Sequence, residues 1–288
     1  MFPRVGRRPP VPTLTITLAG MAGTTPNAPS GVGPVGEVAV VAGATGALGS
    51  AIVRRLRGDE LTVVAVARTP DDLERLAATD RDGIVPLAAD LTDDALTTRL
   101  RAVLDDLDRP VRMVVQAAGL PGSGDIDTIT GDQIALGIGA KIGGFVRLIR
   151  GAQHRFADGS RIVVLGGHYG YEPSPAAPLA GMANAALGNF VRSLADRWGP
   201  DGVTVHLVAP GPVESPRMHA IAERTAARRG DGTTADQILD GYRSGSPLGR
   251  LTTIDEVAWA VGLLLAPEAS SLHGSTLSLD VGRRRGIA

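Results

Sequence analysis

Three glycines follow the first apolar run of the chain at a spacing that suits phosphate binding. The segment GATGALG, residues 43–49, comes directly after VAVVA, residues 38–42. Glycine lets the backbone turn tightly and approach a pyrophosphate, while the N-terminus of the next helix supplies N–H donors. We therefore expect a nucleotide-binding turn here, rather than a tight turn without a ligand. Its predicted contacts are Gly43, Thr45, Gly46, Leu48 and Gly49.

The residue after the second predicted strand indicates which dinucleotide is bound. In Rossmann units that bind NAD, a carboxylate about 20 residues beyond the glycines holds the ribose hydroxyls. Here VART, residues 66–69, offers Arg68 and no carboxylate. A guanidinium suits a 2′-phosphate. The sequence therefore favours NADP(H) over NAD(H), the alternative being a solvated arginine that begins a helix.

Lys141 stands out because it is the sole lysine of the chain. The sequence has 29 Lys plus Arg, and every other one is arginine. An ammonium is compact and its pKa falls readily on burial, which is not true of a guanidinium. We expect a functional role for Lys141; the alternative is a lysine on a helix surface.

A second group of candidates lies in GGHYGYE, residues 166–172, just after the fifth predicted strand. In a parallel sheet this loop lies at the carboxyl ends of the strands, where ligands bind. Histidine titrates near neutrality and a tyrosine hydroxyl can donate a hydrogen bond. His168, Tyr169 or Tyr171 is therefore a candidate acid, unless the aromatic rings only pack beneath neighbouring segments.

The elements that must position these residues alternate between strand and helix. Apolar, β-branched runs predict strands at Val38–Ala42, Thr62–Ala67, Ile84–Ala88, Arg112–Gln116, Arg161–Leu165, Thr204–Val208 and Thr276–Leu279. Helical patterns begin near Leu48, Pro70, Asp94, Gly131, Pro178 and Thr253. Strands that alternate with helices indicate βαβ units. The fold class is α/β: a single-domain, doubly wound Rossmann-type parallel sheet of about seven strands.

Composition divides the chain into a tail and a domain. Residues 1–36 are rich in Pro, Gly, Thr and Ala, which predicts a disordered extension rather than a signal peptide. Residues 37–288 form the predicted domain. Within it, the polar, helix-like segment 215–246 is a candidate lid over the ends of the strands.

The overall totals argue against several classes of protein. A net charge of −1 gives no field that would attract nucleic acid or anionic lipid, and no apolar run approaches the roughly 20 residues of a membrane span. The chain has no cysteine and no ligand spacing that suggests a metal site. We expect a cytoplasmic protein without metal that acts on a small molecule.

Several motifs in order give the chain a resemblance to the short-chain dehydrogenase/reductase superfamily, from about Glu37 to Gly282. They are the glycine turn, DL at 90–91, QAAG at 116–119, PGPVES at 210–215, PLGR at 247–250 and LDVG at 279–282. The family's usual leading threonine is replaced by Ala42. The resemblance implies further cofactor contacts at Asp90, Leu91, Ala117, Ala118, Gly119, Pro210, Gly211, Val213 and Ser215. It also implies a homodimer or homotetramer.

The same resemblance shows that the standard catalytic tetrad is missing. The positions of the family's serine, tyrosine, lysine and asparagine hold Gly167, Ala180, Asn184 and Lys141. Lys141 and Asn184 look like the family's Asn and Lys exchanged between two helices. Asn184 is therefore a candidate catalytic residue together with Lys141.

Three functions remain open. The first is an NADP(H)-dependent oxidoreductase for a small carbonyl or hydroxyl substrate, in which Lys141 holds the ribose and His168 or a nearby tyrosine supplies the proton. The second is a non-redox cyclase, isomerase or dehydratase that uses Lys141 and His168 as acid and base. The third is a catalytically silent NADP-binding partner or sensor. The retained nicotinamide segment at 210–215 favours the first.

Overall fold

The computed structural model describes residues 36–122 and 124–286. The predicted disorder of residues 1–36 therefore lies outside the described residues, apart from Gly36. The elements follow one another in the alternation that the sequence predicts.

The strands are β1 (Val38–Ala42), β2 (Thr62–Ala67), β3 (Ile84–Ala88), β4 (Val111–Gln116), β5 (Phe156–Leu165), β6 (Thr204–Pro210), β7 (Val213–Glu214), β8 (Thr252–Thr253) and β9 (Thr276–Leu279). The α-helices are α1 (Ala47–Gly58), α2 (Pro70–Ala77), α3 (Ala95–Leu107), α4 (Gly131–Ile138), α5 (Gly144–Ala152), α6 (Pro178–Trp198), α7 (Pro216–Arg229), α8 (Ala235–Ser244) and α9 (Ile254–Leu263). A π-helical turn, Gly139–Gly143, joins α4 to α5. A 3₁₀ turn, His168–Gly170, follows β5.

Within the described residues, seven parallel strands form the main sheet in the order β3-β2-β1-β4-β5-β6-β9. The first strand pairs with β2 on one side and with β4 on the other. The order therefore reverses next to β1, and the loops after β1 and β4 open a crevice at the carboxyl edge of the sheet. This edge carries the glycine turn and the loop that contains Gly119.

Apolar strands that are buried on both sides account for the core. Every residue of VAVVA in β1 and of TVVAVA in β2 is buried, as expected for a sheet covered on both sides. Helices α1, α2 and α9 pack on one side of the sheet, whereas α3, α5 and α6 pack on the other. In α3, leucines 96, 100 and 104 recur at helical spacing and are fully buried.

The predicted fold class is confirmed, with shifts at the ends of three strands. The fifth strand begins at Phe156, five residues before its predicted start, because FADGS at 156–160 is too polar to predict a strand. Val111 of β4 nevertheless pairs with Phe156 across a register shift. The fourth strand starts one residue early, and the sixth continues to Pro210.

The predicted lid contains two helices. Ser215 caps α7 by accepting a hydrogen bond from the Met218 backbone N–H at 3.3 Å. Thr234 and Gln237 form a reciprocal capping box at the start of α8. Among the helices in the described part of the chain, none has both the length and the apolar character that a bilayer crossing requires.

Candidate active site and cofactor groove

The glycine turn fits tightly against the loop that follows β4. Gly43 has φ +77°, and a Cβ built there would lie 2.6 Å from the backbone N and Cα of Ala118. A Cβ at Gly49 would overlap the carbonyl oxygen of Gly43. Both positions therefore require glycine. Gly46 is exposed at the start of α1, so this helix N-terminus is open to an anion.

Arg68 lies at the carboxyl end of β2, and its side chain is exposed. Asp90, which follows β3, accepts hydrogen bonds from the N–H and hydroxyl of Thr92 at 2.8 and 2.7 Å. These bonds hold the pKa of Asp90 below its usual value, and the charge of Arg68 adds to the effect. The two predicted adenosine contacts are therefore electrostatic neighbours at one edge of the sheet.

The segments predicted to contact nicotinamide are anchored to the ends of the sheet. The N–H of Ala117 donates to the carbonyl of Ala42 at 2.9 Å, and that of Gly211 donates to Leu279 at 2.9 Å. The Ser215 hydroxyl donates to the carbonyl of Val213 at 3.1 Å. The cofactor residues predicted from the sequence thus lie at or next to the carboxyl ends of these strands. Their contacts with a cofactor stay a prediction.

Lys141 is buried next to the end of β4, and no carboxylate of the described residues forms an ion pair with it. Its side chain is 4% exposed, and Nζ donates to the carbonyl of Ala118 at 2.9 Å and to Oε1 of Gln116 at 3.3 Å. The Gln116 amide in turn donates to the Lys141 carbonyl at 3.4 Å. Burial, and then the nearby guanidinium of Arg217, lower the pKa of Lys141 from 10.5 to about 7.

A local distortion of the helix carries Lys141. Helix α4 passes into the π turn, whose extra residue changes the direction of the side chains that follow. The next helix can approach the loop after β3 closely because a Cβ at Gly144 would lie 2.8 Å from the Cβ of Leu91. The glycine-rich sequence GIGAKIGG, residues 137–144, thus lets the turn pack deeply enough to bury the lysine.

Asn184 lies beneath the backbone that follows β5. The residue is 7% exposed, and a Cβ at Gly167 would lie 3.0 Å from its amide nitrogen. The 3₁₀ turn packs directly on α6, because a Cβ at Gly170 would lie 2.8 Å from the carbonyl carbon of Asn184. The π turn with Lys141 also contacts α6, so Lys141 and Asn184 belong to neighbouring elements.

His168 and Tyr169 form a stacked pair on the 3₁₀ turn. Their ring centroids are 4.0 Å apart. Burial, and then the charge of Arg283, lower the pKa of His168. Burial, and then interaction with Tyr242 of α8, raise the pKa of Tyr169 to about 12. Near neutral pH His168 is therefore uncharged, and the phenol of Tyr169 is a weak acid.

The side chain of Tyr171 extends to β9, unlike those of His168 and Tyr169. Its hydroxyl hydrogen bonds with that of Thr276 at 2.6 Å, on edge strand β9. The guanidinium of Arg284 lies 4.3 Å from its ring centroid. Its phenol is thus engaged by β9, and its proposed role as an acid remains a prediction from sequence alone.

Four residues near the site were not singled out from the sequence. Gln116 was considered only as part of QAAG. The longer amide side chain that it has where the resemblance expects Asn is the signal for its partnership with Lys141. Arg217 lies in the predicted lid, where nothing in the sequence separates it from the other arginines. Tyr242 and Arg283 join α8 to the C-terminal segment, since Arg283 donates to the Tyr242 carbonyl at 2.9 Å.

The strand order and the glycine turn define a Rossmann-type dinucleotide-binding scaffold. The family model described as enoyl-(acyl carrier protein) reductase matches residues 43–284. The chain belongs to the short-chain dehydrogenase/reductase superfamily, a superfamily of oxidoreductases.

Two relatives named as reductases are moderately similar. The short-chain reductase protein NovJ of Streptomyces niveus is 27% identical over 82% of this chain and 89% of its own length. A putative ketoacyl reductase of monensin polyketide synthase from Streptomyces virginiae is 29% identical over 81% of this chain and 92% of its own.

Solved structures show the same fold. L-sorbose reductase from Gluconobacter frateurii, complexed with NADPH and L-sorbose, has a TM-score of 0.81 at 21% identity and covers 89% of this chain and 99% of its own. A short-chain dehydrogenase from Burkholderia cenocepacia, complexed with NADP, has a TM-score of 0.74 at 25% identity over 86% and 98% of the two chains.

Proposed function

We propose that this protein binds NADP(H) and interconverts a small-molecule carbonyl and its alcohol, with Lys141 as the proton donor and acceptor. The observation that carries this proposal is the burial of Lys141 beside the cofactor groove, with carbonyl oxygens as its hydrogen-bond acceptors and a pKa of about 7. An acid–base group is most effective when its pKa is close to the working pH.

The shape of the groove suits the pyrophosphate of a dinucleotide, and the charge of Arg68 suits a 2′-phosphate. Gly43 and Gly49 leave no room for side chains, and the start of α1 is open. Arg68, which is exposed after β2, would hold the 2′-phosphate. Residues 210–215 would hold the nicotinamide. When bound, the cofactor supplies or accepts the hydride.

Lys141 has the hydrogen-bonding capacity that the proton step needs. An ammonium has three N–H donors. Gln116 and Ala118 accept two of them, which leaves one for a substrate oxygen. In reduction, that oxygen takes the proton and Lys141 becomes a neutral amine, which is then protonated again from solvent. In alcohol oxidation, the amine takes the hydroxyl proton.

The neighbouring candidates are less suited to supply this proton near neutral pH. Tyr169 has a pKa of about 12, and its phenol interacts with Tyr242. His168 is largely deprotonated because burial lowers its pKa. We assign these residues, together with Asn184, to the shape and polarity of the substrate side. The reductase names of the relatives support a redox reaction.

A non-redox reaction is the second candidate, and one observation favours it. The resemblance implies that the family's catalytic groups are missing, and an amine with a pKa of about 7 can exchange protons without any cofactor. Such an enzyme would convert its substrate at the same rate with and without NADPH. A silent partner or sensor would bind NADPH and convert no substrate.

The first experiment is a fluorescence titration of the purified full chain with NADPH and NADH. We expect NADPH to bind at least tenfold more tightly. Arg68→Ala should reduce this preference to nearly one, because the 2′-phosphate loses its partner. Arg99→Ala, which removes an equal charge from exposed α3, should retain it. Equal affinity for both nucleotides in the wild-type protein would contradict the cofactor assignment, and no binding of either would contradict the redox proposal.

A further inference from the structure

The arginines of the predicted lid have different surroundings. Arg228 lies 3.6 Å from the carboxylate of Asp125. Arg217, on the second residue of α7, extends to the loop after β4, where a Cβ built on Gly119 would overlap its Nη1. Its exposed guanidinium therefore lies at the crevice where the chain reverses its strand order, next to Ala118, whose carbonyl accepts a hydrogen bond from Lys141.

This part of the crevice is cationic without compensating acids. In residues 36–122 and 124–286, no carboxylate oxygen lies within 4 Å of Arg217 or of Lys141. The two cations are close enough that Arg217 disfavours the charged form of Lys141. Two positive groups at one site repel each other, and burial of one increases the cost. An anion between them would relieve both effects.

The start of α7 adds to this preference. Arg217 lies in the first turn of a 14-residue helix, next to the capping Ser215. The positive end of the helix dipole lies at this turn, where Pro216 has no N–H and the N–H of Met218 is already bonded to Ser215. A planar guanidinium can bind a phosphate or carboxylate through two parallel hydrogen bonds.

From these contacts we propose that Arg217 is an anion receptor, which binds a phosphate or carboxylate group of a ligand between α7 and Gly119. Two ligands supply such chemistry: the pyrophosphate of the dinucleotide, or an acidic group on the substrate. The inference concerns the groove of the proposed function and rests on it for the identity of the ligand, but anion binding itself can be measured without any reaction.

Two variants and one control isolate the guanidinium. Arg217→Met removes the charge. Gly119→Ala keeps the charge but displaces the end of the Arg217 side chain. The displacement is mild because the flexible end of that side chain moves and the backbone does not. Arg224→Met removes the same charge from an exposed site further along α7.

The test is calorimetric titration of the full chain with inorganic pyrophosphate, malonate and NADPH at one ionic strength. In Arg217→Met and Gly119→Ala we expect the dissociation constant of at least one of these anions to rise tenfold or more. Arg224→Met should change each by less than twofold. Loss of pyrophosphate and NADPH affinity would identify the dinucleotide as the ligand, whereas loss of malonate affinity alone would identify an acidic substrate.

The inference and the proposed function fail in different ways. Wild-type protein that binds pyrophosphate through Arg217 but not NADPH would contradict the proposed function and support the receptor. Affinities in Arg217→Met and Gly119→Ala that match the wild-type values for all three anions would overturn the receptor. An equal loss in Arg224→Met, or a wild-type protein that binds none of the three, would also overturn it.

Discussion

Replacing Lys141 with methionine should change how the stability of the protein depends on pH. The pKa of the amine is about 7 in the folded protein and 10.5 as its ordinary value. Since the folded pKa is the lower one, the unfolded chain binds more protons between these two values, and stability rises with pH in that window. Methionine has a similar volume and no proton to bind.

The size of this effect follows from the two pKa values. Each unit of pKa difference is worth about 1.4 kcal/mol, so the full shift corresponds to about 5 kcal/mol. This shift destabilises the folded protein, because it must lose the proton that the unfolded chain keeps. Most of the destabilisation is present at pH 6, and somewhat less than half of it at pH 9. The free energy of unfolding of the wild-type protein should therefore rise by about 2 to 3 kcal/mol relative to Lys141→Met between pH 6 and pH 9.

Urea unfolding of both proteins at several pH values measures this difference. Arg150→Met serves as the control, because it removes a positive charge from an exposed position on α5. The difference between the control and the wild-type protein should not change with pH. A gap between wild-type and Lys141→Met that is equally constant would refute the reasoning, since it would mean that the ammonium keeps its ordinary pKa in the folded state.

The remaining predictions concern single contacts. Gly49→Ala should destabilise the protein by about 2 to 3 kcal/mol because the new Cβ overlaps the backbone. Gly58→Ala lies at the exposed end of the same helix, with open space around it, and should stabilise the protein by about 0.5 to 1 kcal/mol. Thermal unfolding of the two variants checks both signs. Tyr171→Phe removes the bond to Thr276 and should cost about 1 kcal/mol in urea unfolding, so an unchanged midpoint would mean that this bond does not form in solution. Arg250 lowers the pKa of Glu256 to about 2. Because the folded pKa is depressed, the extra stability of the wild-type protein over Glu256→Gln should be full above pH 4.5 and disappear as the pH falls toward 2. A stability difference that grows on acidification would contradict the assignment.

Most of the fold was predictable because the strands are short apolar runs that are buried on both sides. Val38–Ala42 and Thr62–Ala67 have the same bounds in the sequence prediction and in the structure. The start of β5 was missed because its polar residues join the sheet through pairing with β4, which is a tertiary effect. The π turn at Gly139–Gly143 was also missed, since hydrophobic periodicity does not separate it from an ordinary helix.

The candidate site was predictable in its location and less so in its contacts. Residues that follow parallel strands must meet at one edge, which placed His168 and the glycine turn together, whereas Lys141 was placed by the family resemblance. The direction of a long side chain depends on what surrounds it. Arg217 is exposed like the other arginines of α7, and the sequence does not reveal that its guanidinium reaches Gly119. Tyr171 shares a loop with Tyr169 and yet bonds to β9.

The pH dependence of turnover in wild-type and Lys141→Met protein tests the central claim most directly. The assay follows NADPH oxidation at saturating concentrations of whichever ketone or aldehyde gives the highest rate. If Lys141 donates the proton, kcat should fall as the pH rises above an apparent pKa near 7, and Lys141→Met should lose about 100-fold or more in kcat together with this pH dependence. A Lys141→Met protein with the wild-type rate and the wild-type pH profile would show that the proton comes from another group.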